Sequence, residues 1–171
     1  MFNLSSFKDS FTYFDFLNDI NYEKIGSRLI ANMSDIQNDI IPIVRTTTCY
    51  KQPVQNFTNK CRELIKDCNL RCNNIMAEIY TDQYNTMNFH TDQTQDLEPD
   101  SLIAIISFYD KNNSSRILEI KHKNDKSIQQ IKMENNSIIV FSIETNKNFV
   151  HRIVLDKPNG NKWLGLTCRL S

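Results

Sequence analysis

The sequence predicts an α+β fold that is mainly β, a sandwich or double-sheet jelly roll with N-terminal helices packed on one sheet. Two observations carry this. From Asn74 onward, short apolar and β-branched runs alternate with turn residues, a spacing that suits a sandwich or jelly roll rather than a parallel sheet. Before Asn74, apolar residues recur at helical intervals instead. At 171 residues the chain can bury one sizeable core but is too short for two ordinary domains. The expected organisation is therefore a single domain. Residues 1–73 form a helical support carrying a lid, and residues 74–171 form the β core.

Taken in order, Phe7, Phe11 and Phe14 make one core-facing helical stripe, and Ile25, Leu29 and Met33 make a second. Residues 56–69 give the clearest helix, with Cys61, Leu64, Ile65 and Cys68 inward and Lys60, Arg62, Glu63, Lys66 and Asp67 outward. Strands follow at 75–80, 101–109, 116–122, 128–133, 137–142, 149–155 and 163–170. Between them stand turn signals such as Asn124-Asp125 and Asn135-Asn136. Asn159-Gly160 is the strongest of these and predicts a hairpin joining the last two strands.

Composition narrows the class. Hydrophobic residues at 40% and charged residues at 23% describe a globular chain, not a disordered one. Lys+Arg 20 against Asp+Glu 20 gives no net charge, which argues against tight sequence-independent binding of nucleic acid. No stretch reaches the length of a membrane span, and the N-terminus is broken by Lys8, Asp9 and Asp15. With five cysteines and no secretory signal, the expectation is an intracellular protein of cytoplasm or nucleus with free thiols. The spacings of Cys61, Cys68 and Cys72 match no common zinc pattern, so they read as small buried residues.

Chemistry concentrates in His90-Thr91-Asp92 and in His151. Residues two apart on a strand share a face, so His90 and Asp92 present an imidazole and a carboxylate together. A distant His151 completes a 2-His-1-carboxylate set, which leaves one face of an octahedral Fe(II) open. Such a face has room for a chelating 2-oxo acid and dioxygen. The plain alternative is a surface loop with a polar His and Asp. The third histidine, His122, alternates with Ile120 and reads as a surface residue.

The ordered set of segments resembles an AlkB-type Fe(II)/2-oxoglutarate-dependent dioxygenase. It comprises the stretch 75–92, the strand 103–108, Arg116-Ile117-Leu118, His151, and the ending Trp163-Leu164-Gly165-Leu166-Thr167-Cys168-Arg169. The resemblance implies a double-stranded β-helix in which His90, Asp92 and His151 hold Fe(II). It implies that Tyr80 bonds the distal carboxylate of 2-oxoglutarate, and that Arg169, with Thr167 on the same face, meets the cosubstrate. The sequence also departs from the family pattern. Glu78 stands for an asparagine, Trp163 for the first arginine of the terminal motif, and Gly165 for an asparagine. A carboxylate beside a dianion repels it, so Glu78 is expected to point away or to be protonated.

Lys162 opens a Gly160-Asn161-Lys162-Trp163 segment that resembles the place where collagen-type prolyl hydroxylases put a carboxylate-binding lysine. Lys162 and Arg169 are seven apart, so both reach one pocket only across a bulge, which Gly165 could supply. The expectation is that Arg169 faces the cosubstrate and Lys162 contributes from the strand start. The family's substrates imply alkylated DNA or RNA bases, received under a lid at 42–54 with Arg45, Tyr50 and Lys51. A protein side-chain hydroxylase and a non-catalytic binding module are the competing readings, each as a monomer with no membrane partner.

Overall fold

A computed structural model describes residues 2–6, 11–36, 54–111 and 113–171. The elements in order are β1 (Asn3–Ser6), α1 (Tyr13–Asn18), β2 (Glu23–Ile25), β3 (Arg28–Ser34), β4 (Val54–Asn56), α2 (Asn59–Asp67) and β5 (Asn74–Tyr80). They continue with β6 (Leu102–Tyr109), β7 (Arg116–His122), β8 (Gln129–Met133), β9 (Ser137–Ser142), α3 (Ile143–Asn148), β10 (Phe149–Leu155) and β11 (Trp163–Arg169). A large sheet runs β1-β9-β6-β11-β5-β3-β2, with β4 beside β3, and faces a small sheet, β10-β7-β8. Among the described pairings only β3–β4 is parallel. This is the mainly β jelly roll that the strand spacing predicts.

Period-two alternation along the central strands builds two cores, one on each face of the large sheet. On the outer face, Ala104, Ile106 and Phe108 of β6 and Leu164, Leu166 and Cys168 of β11 pack under Phe16, Phe57, Cys61 and Leu64. On the inner face, Ile103, Ile105, Tyr109 and Trp163 meet Leu118, Ile120 and Ile153 of the small sheet. A strand buried on both faces reads as a continuous apolar run, which is why 102–109 lacks clean alternation.

The helices cover the outer face. Thr58 accepts a hydrogen bond from the Cys61 N–H at 3.1 Å and starts α2, while Cys61 and Leu64 point inward as expected. The helix is shorter than the predicted 56–69, because Asn56 ends β4. In α1 the buried residues are Tyr13 and Phe16, and Phe16 stacks on Phe108 with centroids 4.9 Å apart. Phe14, expected inward, is 53% exposed, and Phe7 lies outside the described residues.

The second predicted stripe is not helical. Ile25 ends β2, Gly26 turns the chain with φ +60°, and Leu29 and Met33 lie on β3. Residues four apart share a face in a strand as well as in a helix, so Leu29 and Met33 fit either period. Among the described residues the N-terminal support is therefore a mixture of strands and two short helices, which corrects the helical reading of the second stripe. A second correction concerns Asn159-Gly160. It forms a turn with Gly160 at φ +75°, yet β10 and β11 belong to different sheets and make no hairpin. His122 is half-buried, its ring edge-on to Phe149 at 5.0 Å, rather than a plain surface residue. Cys61, Cys68, Cys72 and Cys168 are free thiols, and Cys49 lies outside the described residues.

Candidate metal centre

The long connection from β5 to β6 carries His90 and Asp92. It is stitched to β10 by two backbone hydrogen bonds, His90 N–H to His151 O at 3.1 Å and His151 N–H to His90 O at 2.9 Å. Directly opposed residues of an antiparallel bridge project to the same side, and the two imidazoles come to 4.7 Å. Asp92 follows two residues on, on the same face. Asn146 of α3, fully buried, accepts from the Asp92 N–H at 2.9 Å and donates to the Asp92 carbonyl at 2.8 Å. The helix before β10 thus clamps the backbone of the carboxylate residue.

The result is one compact donor set. Asp92 Oδ1 lies 3.4 Å from His151 Nε2 and 3.8 Å from His90 Nε2, and the three ligand atoms lie within 4.8 Å of one another. Among the described residues this is the one cluster with metal-holding composition. His90 Nδ1 lies 2.9 Å from the Asn88 carbonyl. A carbonyl only accepts, so Nδ1 carries the hydrogen and Nε2 keeps its lone pair for an ion. The hydrogen-bond partner assigns that tautomer. Burial lowers the pKa of His90, which favours the neutral, ligating form. His151 Nδ1 has no partner among the described residues, and its ring is held by packing against Phe141 at 5.5 Å.

Asp92 is nearly buried, and burial alone would raise its pKa. Arg169 and His151 outweigh that and hold the carboxyl well below its usual range. Arg169 Nη2 donates to Asp92 Oδ2 at 2.7 Å, leaving Oδ1 turned toward the imidazoles. The Nε and Nη1 groups of Arg169 are buried without a partner among the described residues. Two imidazoles and one ionised carboxylate suit Fe(II), and a guanidinium with unused donors beside them suits a carboxylate.

Beside the donor set opens a cavity of about 400 Å³. Its far wall is the inner face of β5 and β11, where Met76, Glu78, Tyr80, Thr167 and Arg169 line it. Strand β11 pairs with β5 without interruption from Trp163↔Tyr80 to Arg169↔Asn74. No bulge occurs at Gly165, so Trp163, Gly165, Thr167 and Arg169 share the inner face and Lys162 does not. Lys162 is exposed and does not line the cavity, and its backbone N–H bonds Asp110 at 2.8 Å. The expected contribution of Lys162 is therefore corrected.

Gly165 has a different task. A Cβ there would come within 2.0 Å of the Trp163 ring, so the glycine makes room for the indole. Trp163 Nε1 donates to Ser107 Oγ at 3.0 Å, and the ring packs on Tyr80 at 4.7 Å.

Glu78 neither points away nor stands alone. It lines the cavity and pairs with Arg28 Nη1 at 3.1 Å, while the Tyr80 hydroxyl donates to the same Oε2 at 2.6 Å. Burial pushes its carboxyl above the usual range against these partners. Sequence reasoning missed Arg28 and Asn146. Their roles depend on strand register and on α3 docking, and neither has a local motif. The lid expected at 42–54 lies outside the described residues except for Val54.

A family model described as the 2OG-Fe(II) oxygenase superfamily matches residues 38–171. A solved structure described as "The structure of OsALKBH1" aligns with a TM-score of 0.54 at 11% identity, covering 91% of this chain and 86% of that one, a likeness of fold. No curated protein matches the sequence.

Proposed function

As a member of the 2OG-Fe(II) oxygenase superfamily this chain is an Fe(II)- and 2-oxoglutarate-dependent dioxygenase, and we propose that it oxidatively demethylates alkylated nucleic-acid bases. The observation that carries the reading is the His90, Asp92 and His151 set opening on a cavity with Arg169 beside it. Bound iron, 2-oxoglutarate and dioxygen supply oxidative decarboxylation coupled to hydroxylation of a C–H bond. On an N-methyl group the hydroxymethyl product releases formaldehyde.

The chain's own residues provide position. His90 presents Nε2 because Asn88 holds the hydrogen on Nδ1. Asp92 stays ionised because Arg169 binds Oδ2, and Asn146 fixes its backbone. Inner-face apolar residues such as Ile105 and Ile153 keep part of the cavity wall dry.

Support for a nucleic-acid substrate sits next to His90. The Phe89 ring has the Arg152 guanidinium 4.2 Å and Lys121 Nζ 4.5 Å from its centroid, although Arg152 also bonds Glu119. An aromatic flanked by cations is the composition that grips unpaired bases and their phosphates. Zero net charge favours a second reading, a protein side-chain hydroxylase. Among the described residues no helix is long and apolar enough to cross a membrane.

The test is to incubate Fe(II)-loaded protein with 2-oxoglutarate and either methylated oligonucleotides or peptides. Formaldehyde and succinate released in step with oligonucleotide is the expected result, and both should vanish in His90→Ala and Asp92→Ala. Succinate driven only by peptide would replace this reading with the second.

A further inference from the structure

We propose that Arg28 of β3, which precedes the segment matched by the family model, grips the distal carboxylate of 2-oxoglutarate together with the Tyr80 hydroxyl. This rests on the cosubstrate assignment above. A dianion in a partly enclosed cavity is held best with a positive group near each end. Among the described residues lining the cavity, two are permanently cationic, Arg169 and Arg28. Arg169 is committed to the metal end through Asp92.

The rivals for the far end are excluded one by one. Trp163 and Gly165, which follow Thr167 and Arg169 toward the strand start on the inner face, carry no charge. Lys162 is exposed and lies outside the cavity. Arg116 is buried behind Tyr80, its two Nη groups donating to the carbonyls of Tyr84 at 2.6 Å and Thr81 at 2.7 Å.

Arg28 is placed by register. It opposes Tyr80 across β3 and β5, and its guanidinium lies over the Tyr84 ring at 4.9 Å. Its side chain is 14% exposed, and both Arg28 and Tyr80 converge on Glu78 Oε2. Glu78, which Arg28 touches, opposes Gly165, four residues along β11 from Arg169, so the Glu78 and Arg169 backbones lie roughly 13 Å apart along the strand before their side chains lean inward. That interval suits a five-carbon dicarboxylate held at both ends. Glu78 is then a competitor built into the subsite. It holds the guanidinium in place, and it also weakens the subsite's attraction for the incoming carboxylate.

The experiment is an anaerobic titration of Fe(II)-loaded protein with 2-oxoglutarate and with 2-oxobutanoate, which chelates alike but lacks the distal carboxylate. The visible charge-transfer band and the emission of Trp163 report binding without turnover. Arg28→Met should weaken 2-oxoglutarate roughly 10- to 100-fold, the range for losing a charge-assisted contact, and leave 2-oxobutanoate unchanged. Glu78→Gln should strengthen 2-oxoglutarate. The double variant R28M/E78Q removes both buried charges, avoiding an unpaired carboxylate, and should still fail to distinguish the two acids.

Arg28→Met that binds 2-oxoglutarate like the parent, or that weakens both acids equally, would overturn the assignment while leaving the cosubstrate reading intact. A parent protein that gives no band with either acid would overturn both.

Discussion

Arg169 is the residue on which most of the site's electrostatics converge. It is buried, bonds Asp92 at 2.7 Å, and keeps two further donors unused among the described residues. Removing one partner of a buried ion pair costs about 3–5 kcal/mol, because the other charge is left stranded. We expect Arg169→Gln to lose stability of that order near pH 7 and to bind 2-oxoglutarate more weakly. The pH dependence has a definite sign. Asp92 has its folded-state pKa depressed, so its contribution is present above the unfolded value of about 3.9 and is lost as pH falls through the folded value. The penalty of Arg169→Gln should therefore shrink as pH drops toward 4 and below, where the variant's Asp92 is protonated. Urea denaturation at pH 7 and pH 4 checks this, and a penalty equal at both would point to lost packing instead. Asn146→Ala makes a second residue-scale case. It removes both bonds to the Asp92 backbone, each worth about 1–3 kcal/mol when a buried partner is orphaned. Lower stability together with weaker Co(II) affinity is expected, and unchanged metal affinity would show that α3 does not position the carboxylate.

At the scale of elements, β11 is the strand that links both cores to the site. Its outer residues Leu164, Leu166 and Cys168 hold the helical layer, and its inner residues Thr167 and Arg169 face the cavity. The strand stays regular because Gly165 leaves room for the Trp163 indole. Gly165→Ala places a methyl inside the ring's volume, and overpacking of this kind costs about 1–3 kcal/mol, occasionally more. Trp163 is the single tryptophan of the chain, so its emission reports the displacement directly. A lowered melting temperature with a shifted emission maximum is the expected outcome. Unchanged emission would mean that the backbone of β11, not the ring, gives way. The β2–β3 hairpin makes the complementary point. Leu29 and Met33 satisfy both periods, and Gly26 decides for strand by turning the chain just before them.

For the whole molecule, the two hydrophobic layers are built of apolar residues, and of the donor set His151 packs against one of them through Phe141. We therefore expect metal removal with a chelator to leave the far-UV circular dichroism unchanged. Rebinding Fe(II) or Co(II) should raise the melting temperature by mass action, by about 2.7 kcal/mol of stability at a hundredfold excess over Kd. Loss of the β signal on chelation would show that the ion is structural.

What the sequence determined on its own was the local pattern. Short apolar and β-branched runs set off by turn residues after Asn74 located the strands to within a residue or two, because strand-forming and turn-forming residue types are written directly into residue order. His90 and Asp92 were legible as a pair, because two residues of spacing already place them on one side of the backbone. Tertiary structure decided everything that depends on register and closure. Whether Lys162 reached the cavity hinged on a bulge that β11 does not make. The pairing of β3 to β5 sets Arg28 opposite Tyr80, 52 residues along the chain, and brings it to the cavity wall. Contacts so distant carry no short-range signal, because they exist only once the sheet has assembled.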